Sequence, residues 1–148
     1  MTLKSASMRF GTWVFALVVA GCSRPAPSGP AATPVQGTVL YQGKPAAGFR
    51  VVFHPLFDLG TVKFAPFGMT DEKGVFHLRS YTPNDGAPVG QYAVTFEWPT
   101  RPPAMDLMLD PGARDVDQLA GKYSRVENSA WKINVQEGSN ELEPFRLE

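Results

Sequence analysis

The chain has 148 residues, with 14 Lys and Arg, 14 Asp and Glu, and no net charge at pH 7. This length is typical of one domain with some additional sequence at an end. The balanced charge excludes the strongly basic composition that marks nucleic-acid-binding domains. Fourteen glycines and fourteen prolines favour a loop-rich β protein, and ten Phe, four Tyr and three Trp provide aromatic bulk for a core.

The first residues have the pattern of a secretory signal peptide. Lys4 and Arg9 precede the apolar stretch from Phe10 to Ala20, and small residues follow it. As a helix, this stretch would be about 16 Å long, whereas the hydrocarbon core of a bilayer is about 30 Å thick. We therefore predict a cleaved signal peptide over residues 1–21 and not a permanent transmembrane helix.

The only cysteine, Cys22, lies where the apolar stretch ends. The sequence Val19-Ala20-Gly21-Cys22 resembles the lipobox of bacterial lipoproteins, in which the bond before the cysteine is cut and the thiol is diacylated. This resemblance implies cleavage between Gly21 and Cys22 and modification of Cys22 by fatty acids such as palmitate. Several acyl chains hold a protein on a membrane where a single chain does not. The alternative is a secreted protein with a free cysteine.

The residues around Cys22 also bear on location and redox chemistry. Acylation would leave no free thiol, and no disulfide can form without a second cysteine. In the lipoprotein family, aspartate after the cysteine signals retention in the inner membrane, and Ser23 occupies that position here. The resemblance therefore implies a lipid-anchored protein of the cell membrane or, in a cell with two membranes, of the outer membrane, facing the periplasm or the surface.

Residues 22–34 differ in composition from the residues on either side. They contain prolines at positions 25, 27, 30 and 34 and show no apolar periodicity. Proline-rich segments of this kind are semi-rigid spacers, here with a reach of up to about 30 Å. We predict a tether over residues 22–34 that holds a domain, residues 35–148, away from the lipid.

From residue 35 onward the apolar residues alternate with a period of two, which predicts half-buried strands. Turns are predicted at residues 43–45 and 71–74, and His54 and His77 lie opposite the apolar positions. The clearest apolar stripe runs from Tyr92 to Trp98, and Ala93, Thr95 and Glu97 lie on the opposite side of that strand. The alternating residues are Val35, Val39 and Tyr41; Phe49, Val51 and Phe53; Phe67 and Met69; Phe76 and Leu78; Tyr92, Val94, Phe96 and Trp98; and Trp131, Ile133 and Val135.

The last strand signal is irregular. Leu142 and the pair Phe145 and Leu147 fall on opposite parities, with Pro144 between them. A β-bulge at Glu143-Pro144 would return all three apolar side chains to the core, and proline is tolerated at such a site. About seven strands without a convincing helix predict an all-β protein with a two-sheet β-sandwich.

Three stretches of the sequence point to a known family. They are VQGTVLYQGKPAAGFRVVFHP, TDEKGVFHL and GAPVGQYAVTF, and the ending GKYSRVENSAWKINVQEGSNELEPFRLE fits the same pattern. Together they resemble the carboxypeptidase regulatory-like (transthyretin-like) domain, and most closely that domain in small lipoproteins of planctomycete-type bacteria. The resemblance covers nearly all of residues 35–148 and implies a prealbumin-like, Ig-like sandwich. It implies little about activity, because the matching residues are turn and core residues.

Residues with catalytic chemistry are sparse in this sequence. The two histidines do not define a triad, and no G-x-S-x-G motif accompanies them. One transthyretin-fold enzyme, a hydrolase of 5-hydroxyisourate, ends in a YRGS-like motif with catalytic histidines, whereas this chain ends in ELEPFRLE. We therefore predict a protein that is not an enzyme and that requires no cofactor.

Acidic residues in loops raise the alternative of a calcium site. The acidic residues are Asp71, Glu72, Asp85, Asp110, Asp115 and Asp117, and Asn84 precedes Asp85 with an amide oxygen. Calcium prefers oxygen ligands from loops, but the D-x-D-x-D-G spacing is absent. Asp and Asn near Gly are also common turn residues. We favour turns and predict no metal site.

Aromatic residues near the longest predicted loop, residues 99–129, raise the alternative of ligand binding. Trp98 precedes this loop, and Tyr123 and Trp131 lie near its end. They could form a sugar platform, although we favour Trp98 and Trp131 as the ends of core stripes. The leading hypothesis is a non-catalytic envelope lipoprotein acting as a structural or protein-interaction module. The alternatives are a carbohydrate-binding module, with Trp98, Tyr123 and Trp131 as its ligand-binding residues, and an assembly lipoprotein of a secretion machine.

Overall fold

The computed structural model describes residues 29–60, 63–100 and 115–148. Within these ranges the regular structure is β-strand, apart from one 3-10 helix at Val126–Asn128. The prediction of an all-β protein is therefore confirmed for the described residues. The strands are β1 (Ala32–Thr33), β2 (Val35–Tyr41), β3 (Lys44–Pro45), β4 (Arg50–Pro55), β5 (Phe67–Met69), β6 (Val75–His77), β7 (Ala87–Pro88), β8 (Gly90–Glu97), β9 (Pro99–Thr100), β10 (Val116–Asp117), β11 (Trp131–Val135), β12 (Asn140–Glu141) and β13 (Phe145–Leu147).

Two main sheets organise the described strands. The first has the order β11-β8-β4-β5, and all its neighbours are antiparallel. The second is built around β2, which pairs in parallel with β12 and β13 and antiparallel with β3 and β6. The end of the chain therefore lies beside the first long strand, a non-local pairing that closes this sheet.

The hydrophobic core joins the inner faces of the two sheets. The ring of Phe53 in β4 lies 6.3 Å from that of Phe76 in β6, and the ring of Phe96 in β8 lies 5.2 Å from that of Phe145 in β13. Full burial of such a side chain contributes about 1.5–3 kcal/mol. These contacts between the sheets agree with the predicted sandwich. Other fully buried core residues are Val39, Val51, Leu78, Tyr92, Val94 and Val135.

The alternation that predicted the strands describes β2 well and β8 only in part. In β8 the predicted inner residues are buried, but Ala93 and Thr95 on the opposite side are also only 2% and 3% exposed. Thr95 lies under His54, whose ring nitrogen Nε2 is 2.8 Å from the Thr95 hydroxyl, and the 3-10 helix packs beside β8. The prediction of a half-buried strand is therefore wrong for β8 at Ala93 and Thr95, where both sides of the strand are buried.

The C-terminal irregularity is a bulge, as predicted. Glu141 pairs with Gln36 and Phe145 pairs with Val39, so four steps along this segment match three steps along β2. The one extra residue restores Phe145 and Leu147 to the core, where they are 3% and 2% exposed.

Two segments predicted to lack strands contain short ones. Ala32–Thr33 falls inside the predicted tether 22–34, yet it pairs with Ala87–Pro88. Within the predicted loop 99–129, Pro99–Thr100 pairs with Val116–Asp117. None of the described residues forms a helix with the length and apolar character that a membrane span requires.

Candidate functional site

The three aromatic residues proposed as a ligand platform fall into two groups. The ring of Trp98 stacks on Phe49 at 5.0 Å, and its centre lies 5.8 Å from that of Tyr41. Trp131 lies 5.8 Å from Tyr123 in a different cluster. All three predicted residues are half-buried and pack against the core, so they do not form one exposed row. Their role in ligand binding stays a prediction.

Trp98 lines a groove on the surface of the described residues. The groove has a volume of about 550 Å³ and lies where the end of β2 approaches the end of β8. Its apolar walls are the rings of Tyr41, Phe49 and Trp98 together with Pro45. Lys44 and Gln42 add polar groups at its edge. The sequence does not indicate Tyr41 and Phe49 as groove residues, because they approach Trp98 only through pairing between distant strands.

Trp131 belongs to the interior of the molecule more than to its surface. Its ring lies edge-on to Phe96 at 5.0 Å and near Phe145 at 6.3 Å. This packing agrees with the interpretation of Trp131 as the end of a core stripe. The Tyr123 hydroxyl bonds the backbone of Glu148, which ties the loop after β10 to the C-terminal strand.

Asp117 organises the backbone next to Trp98. Its carboxylate accepts hydrogen bonds from the backbone N–H groups of Trp98 at 2.8 Å, Leu119 at 3.0 Å and Gly121 at 2.9 Å. Burial opposes ionisation of this carboxyl, but the three hydrogen bonds outweigh burial and lower the pKa of Asp117. Asp117 therefore holds the start of the loop in place and positions Trp98 at the groove.

Asp85 performs the same task in the turn after β6. Its carboxylate accepts from the backbone N–H groups of Ser80, Tyr81 and Thr82 at 2.7–2.9 Å. Burial again opposes ionisation, and the hydrogen bonds outweigh it and lower the pKa of Asp85. In the hairpin turn between β5 and β6, Asp71 accepts from Lys73 and Val75, both at 2.9 Å.

Asp71, Asp85 and Asp117 therefore make the backbone hydrogen bonds that the turn interpretation predicts. Their carboxylate oxygens are directed at backbone N–H groups of their own loops. Across residues 29–60, 63–100 and 115–148, no three His, Cys, Asp or Glu side chains come together as metal ligands. Asp110 lies outside the described residues.

The two histidines lie on different sheets. His54 is on β4, half-buried over Thr95, and His77 is exposed on β6 beside Gln36. Burial lowers the pKa of His54, and the negative charges of Glu97 and Glu127 act in the opposite direction. His54 therefore favours its neutral form, in which it bonds the Thr95 hydroxyl.

The predicted cleavage and lipidation residues, Gly21 and Cys22, lie outside the described residues. The chain is described from Gly29 onward, and Gly29 and Pro30 lie at Tyr81, whose hydroxyl donates to the Pro30 carbonyl oxygen at 3.0 Å. This contact shows where the segment that follows Cys22 reaches the domain.

No protein-family model and no curated protein matches this sequence. Among solved structures, the chain is similar to a 9R-lipoxygenase from Cyanothece PCC8801, with 17% sequence identity and a TM-score of 0.40. The similarity covers 84% of this chain and 18% of the lipoxygenase chain, so this chain corresponds to less than a fifth of that protein.

Proposed function

We propose that this protein is a non-catalytic lipoprotein of the bacterial cell envelope, anchored through Cys22, with a domain that acts as a structural or protein-interaction module. The observation that carries this proposal is the sequence Val19-Ala20-Gly21-Cys22 at the end of an apolar stretch. Gly29, the first described residue, follows Cys22 by seven positions. That spacing allows a lipid-modified Cys22 to hold the domain close to a membrane. With Ser23 after the cysteine, the outer membrane is the proposed location in a cell that has two membranes.

We further propose that the domain is of the carboxypeptidase regulatory-like (transthyretin-like) type. The motif residues of its hairpin support this, since each has a structural role. The Thr70 hydroxyl accepts from Phe49 N–H at 2.8 Å, Asp71 binds the turn backbone, and Phe76 is fully buried. Gly74 has φ of +74°, and an added Cβ would lie 2.5 Å from the Val39 carbonyl oxygen. Residues with such roles define a fold and leave the function to surfaces built on it.

The use of the polar side chains supports a non-catalytic role. Asp85 and Asp117 bind backbone N–H groups, and the His54 ring bonds a buried hydroxyl. Their chemistry therefore serves the stability of loops and sheets. A domain of this kind presents rigid surfaces, which suits a partner-binding or spacer function in the envelope.

The anchoring can be tested by metabolic labelling of cells with an alkyne analogue of palmitate. We expect the parent chain to be labelled and recovered with membranes, and Cys22→Ser to accumulate as an unlabelled precursor. Ser23→Ala is the matched control and should be labelled like the parent. Equal labelling of Cys22→Ser and the parent would contradict the proposal.

A second candidate function, carbohydrate binding, is favoured by one observation, the groove formed by Trp98, Tyr41 and Phe49. Aromatic faces with polar groups beside them are suited to sugar rings, and pockets of this volume hold small ligands. The test is retardation of the protein in gels containing envelope polysaccharide. Trp98→Ala should abolish retardation, while Trp131→Ala, which alters a tryptophan outside the groove, should preserve it. Absence of retardation for the parent would exclude this candidate.

A further inference from the structure

Strand β8 runs from one end of the sandwich to the other. It is about 24 Å long at 3.4 Å per residue. Just before it, Ala87–Pro88 pairs with Ala32–Thr33, and just after it, Pro99–Thr100 pairs with Val116–Asp117. We call the first the N-terminal end and the second the Trp98 end. The N-terminal segment therefore joins the domain at the end opposite the Trp98 groove.

The segment that begins at Gly29 contacts the N-terminal end of the sandwich at Tyr81. Its hydroxyl donates to the Pro30 carbonyl oxygen, and its ring lies 5.0 Å from that of Phe64. Gly29 lies seven positions after Cys22, a distance of at most about 25 Å for an extended chain. Acyl chains on Cys22 would therefore keep this end within about 25 Å of the lipid headgroups.

Two large aliphatic side chains are exposed at the same end. Leu56 is 47% exposed, and its backbone N–H donates to the Gln91 carbonyl oxygen at 2.8 Å, which places it beside the start of β8. Val89 lies between β7 and β8 and is 45% exposed. A cavity of about 230 Å³ is lined by Pro55 and Phe57, the two neighbours of Leu56 in the chain, and by Lys63 and Phe64. Exposed apolar side chains gathered at one place mark contact surfaces.

We propose that the N-terminal end of the sandwich lies directly on the bilayer, with Leu56 and Val89 among the lipid headgroups. This inference rests on the proposed function, because it requires acyl chains at Cys22. Two aliphatic side chains are a weak membrane contact alone, but a short tether raises the effective concentration of lipid at this end. The contact fixes the orientation of the domain and directs the Trp98 groove away from the membrane.

The test uses the full chain, processed in cells, purified in its acylated form and reconstituted in vesicles of phosphatidylethanolamine and phosphatidylglycerol. Acylation consumes the native thiol, so Leu56→Cys, Val89→Cys and Val116→Cys each carry a single reactive cysteine. Val116 is the matched control, because it is a 65% exposed aliphatic residue at the Trp98 end. Each thiol carries an environment-sensitive fluorophore, and doxyl-labelled lipids act as quenchers.

We expect labels at positions 56 and 89 to shift to shorter emission wavelengths and to be quenched at least about twofold more than the label at 116, since interfacial groups lie about 5–10 Å deep. Equal quenching at all three positions would overturn the inference. A wavelength shift at 56 or 89 without quenching would also overturn it, because it would show contact with protein and not with lipid.

The reaction of the unsubstituted parent chain with the fluorophore tells whether a negative quenching result contradicts only this inference or also the proposed function. If the parent reacts with the fluorophore, Cys22 is a free thiol, and both the proposed function and this inference are wrong. If the parent does not react and floats with the vesicles, anchoring stands and the quenching result bears on Leu56 and Val89 alone.

Discussion

Strands β5 and β6 are joined by one turn but belong to different sheets, and they place their apolar residues on opposite sides. In β6, Phe76 points into the core and is fully buried. In β5, Phe67 and Met69 point outward and are 39% and 46% exposed, while Gly68 faces inward. The space inside Gly68 is already filled, because an added Cβ would lie 2.6 Å from the His77 carbonyl oxygen. One strand fills the core and the other only covers it.

This difference shows that a period-two pattern defines two faces without telling which one is buried. The prediction that Phe67 and Met69 belong to the apolar stripes is wrong, because both side chains are exposed. Phe67 gains other contacts on the surface, where the guanidinium of Arg79 lies 5.4 Å from the centre of its ring. An apolar residue of this kind is stabilised by a neighbour and not by burial.

The largest expected effect is that of Phe76→Ala, compared with Phe67→Ala. Phe76→Ala should lower the free energy of unfolding by about 3–5 kcal/mol, because it leaves a cavity between the sheets. Phe67→Ala should cost about 1 kcal/mol or less, mainly through loss of the Arg79 contact. Denaturant melts of the two variants measure the difference. Equal costs would mean that β5 is as buried as β6, against the structure.

The next effect in size is that of Gly68→Ala. Any side chain at this position meets the His77 carbonyl oxygen, so we expect a loss of about 1–3 kcal/mol through overpacking. Met69→Ala, the neighbouring outward position, is the control and should change stability by less than about 1 kcal/mol. A neutral Gly68→Ala in the same denaturant melts would show that β5 can move outward from β6.

Asp85 tests the turn that follows the buried strand. Its folded pKa is lowered, so its contribution is present above the unfolded pKa of about 3.9 and is lost as pH falls through the folded pKa. Asp85→Asn should cost on the order of 1 kcal/mol at pH 7, and this cost should shrink as pH falls below about 4. Glu72→Gln, in the exposed hairpin turn, is the control and should show no such cost. Melts from pH 2 to pH 7 give the profile, and a cost independent of pH would contradict the role of the ionised carboxylate.

The smallest effect is expected from His77→Ala, on the outward side of β6. His77 is exposed, so the loss should be below about 0.5 kcal/mol. The comparison with Phe76→Ala, one residue away, tests the register of the strand directly. Should His77→Ala prove the more damaging of the two, the inner and outer faces of β6 would be exchanged.

Local patterns were sufficient for much of the fold. The alternation of Phe76 and Leu78 with His77 reflects backbone geometry alone, because successive side chains of a strand point to opposite faces. The parity change before Phe145 likewise predicted a bulge, since only an extra residue keeps both apolar sets inside. The predicted roles of Asp71, Asp85 and Asp117 also rest on local chemistry, in which a short carboxylate side chain binds nearby backbone N–H groups.

Other features were decided only by tertiary structure, because they depend on which distant segments pair. The parallel pairing of β13 with β2 joins residues about a hundred positions apart, and no local signal specifies it. The groove of Trp98 with Tyr41, and the burial of Thr95 on the second side of β8, follow from such pairings. The sequence by itself determined that strands form, where they turn and where Cys22 follows the apolar stretch. Tertiary structure decided which faces are buried, because burial depends on what packs opposite a strand and not on the strand alone.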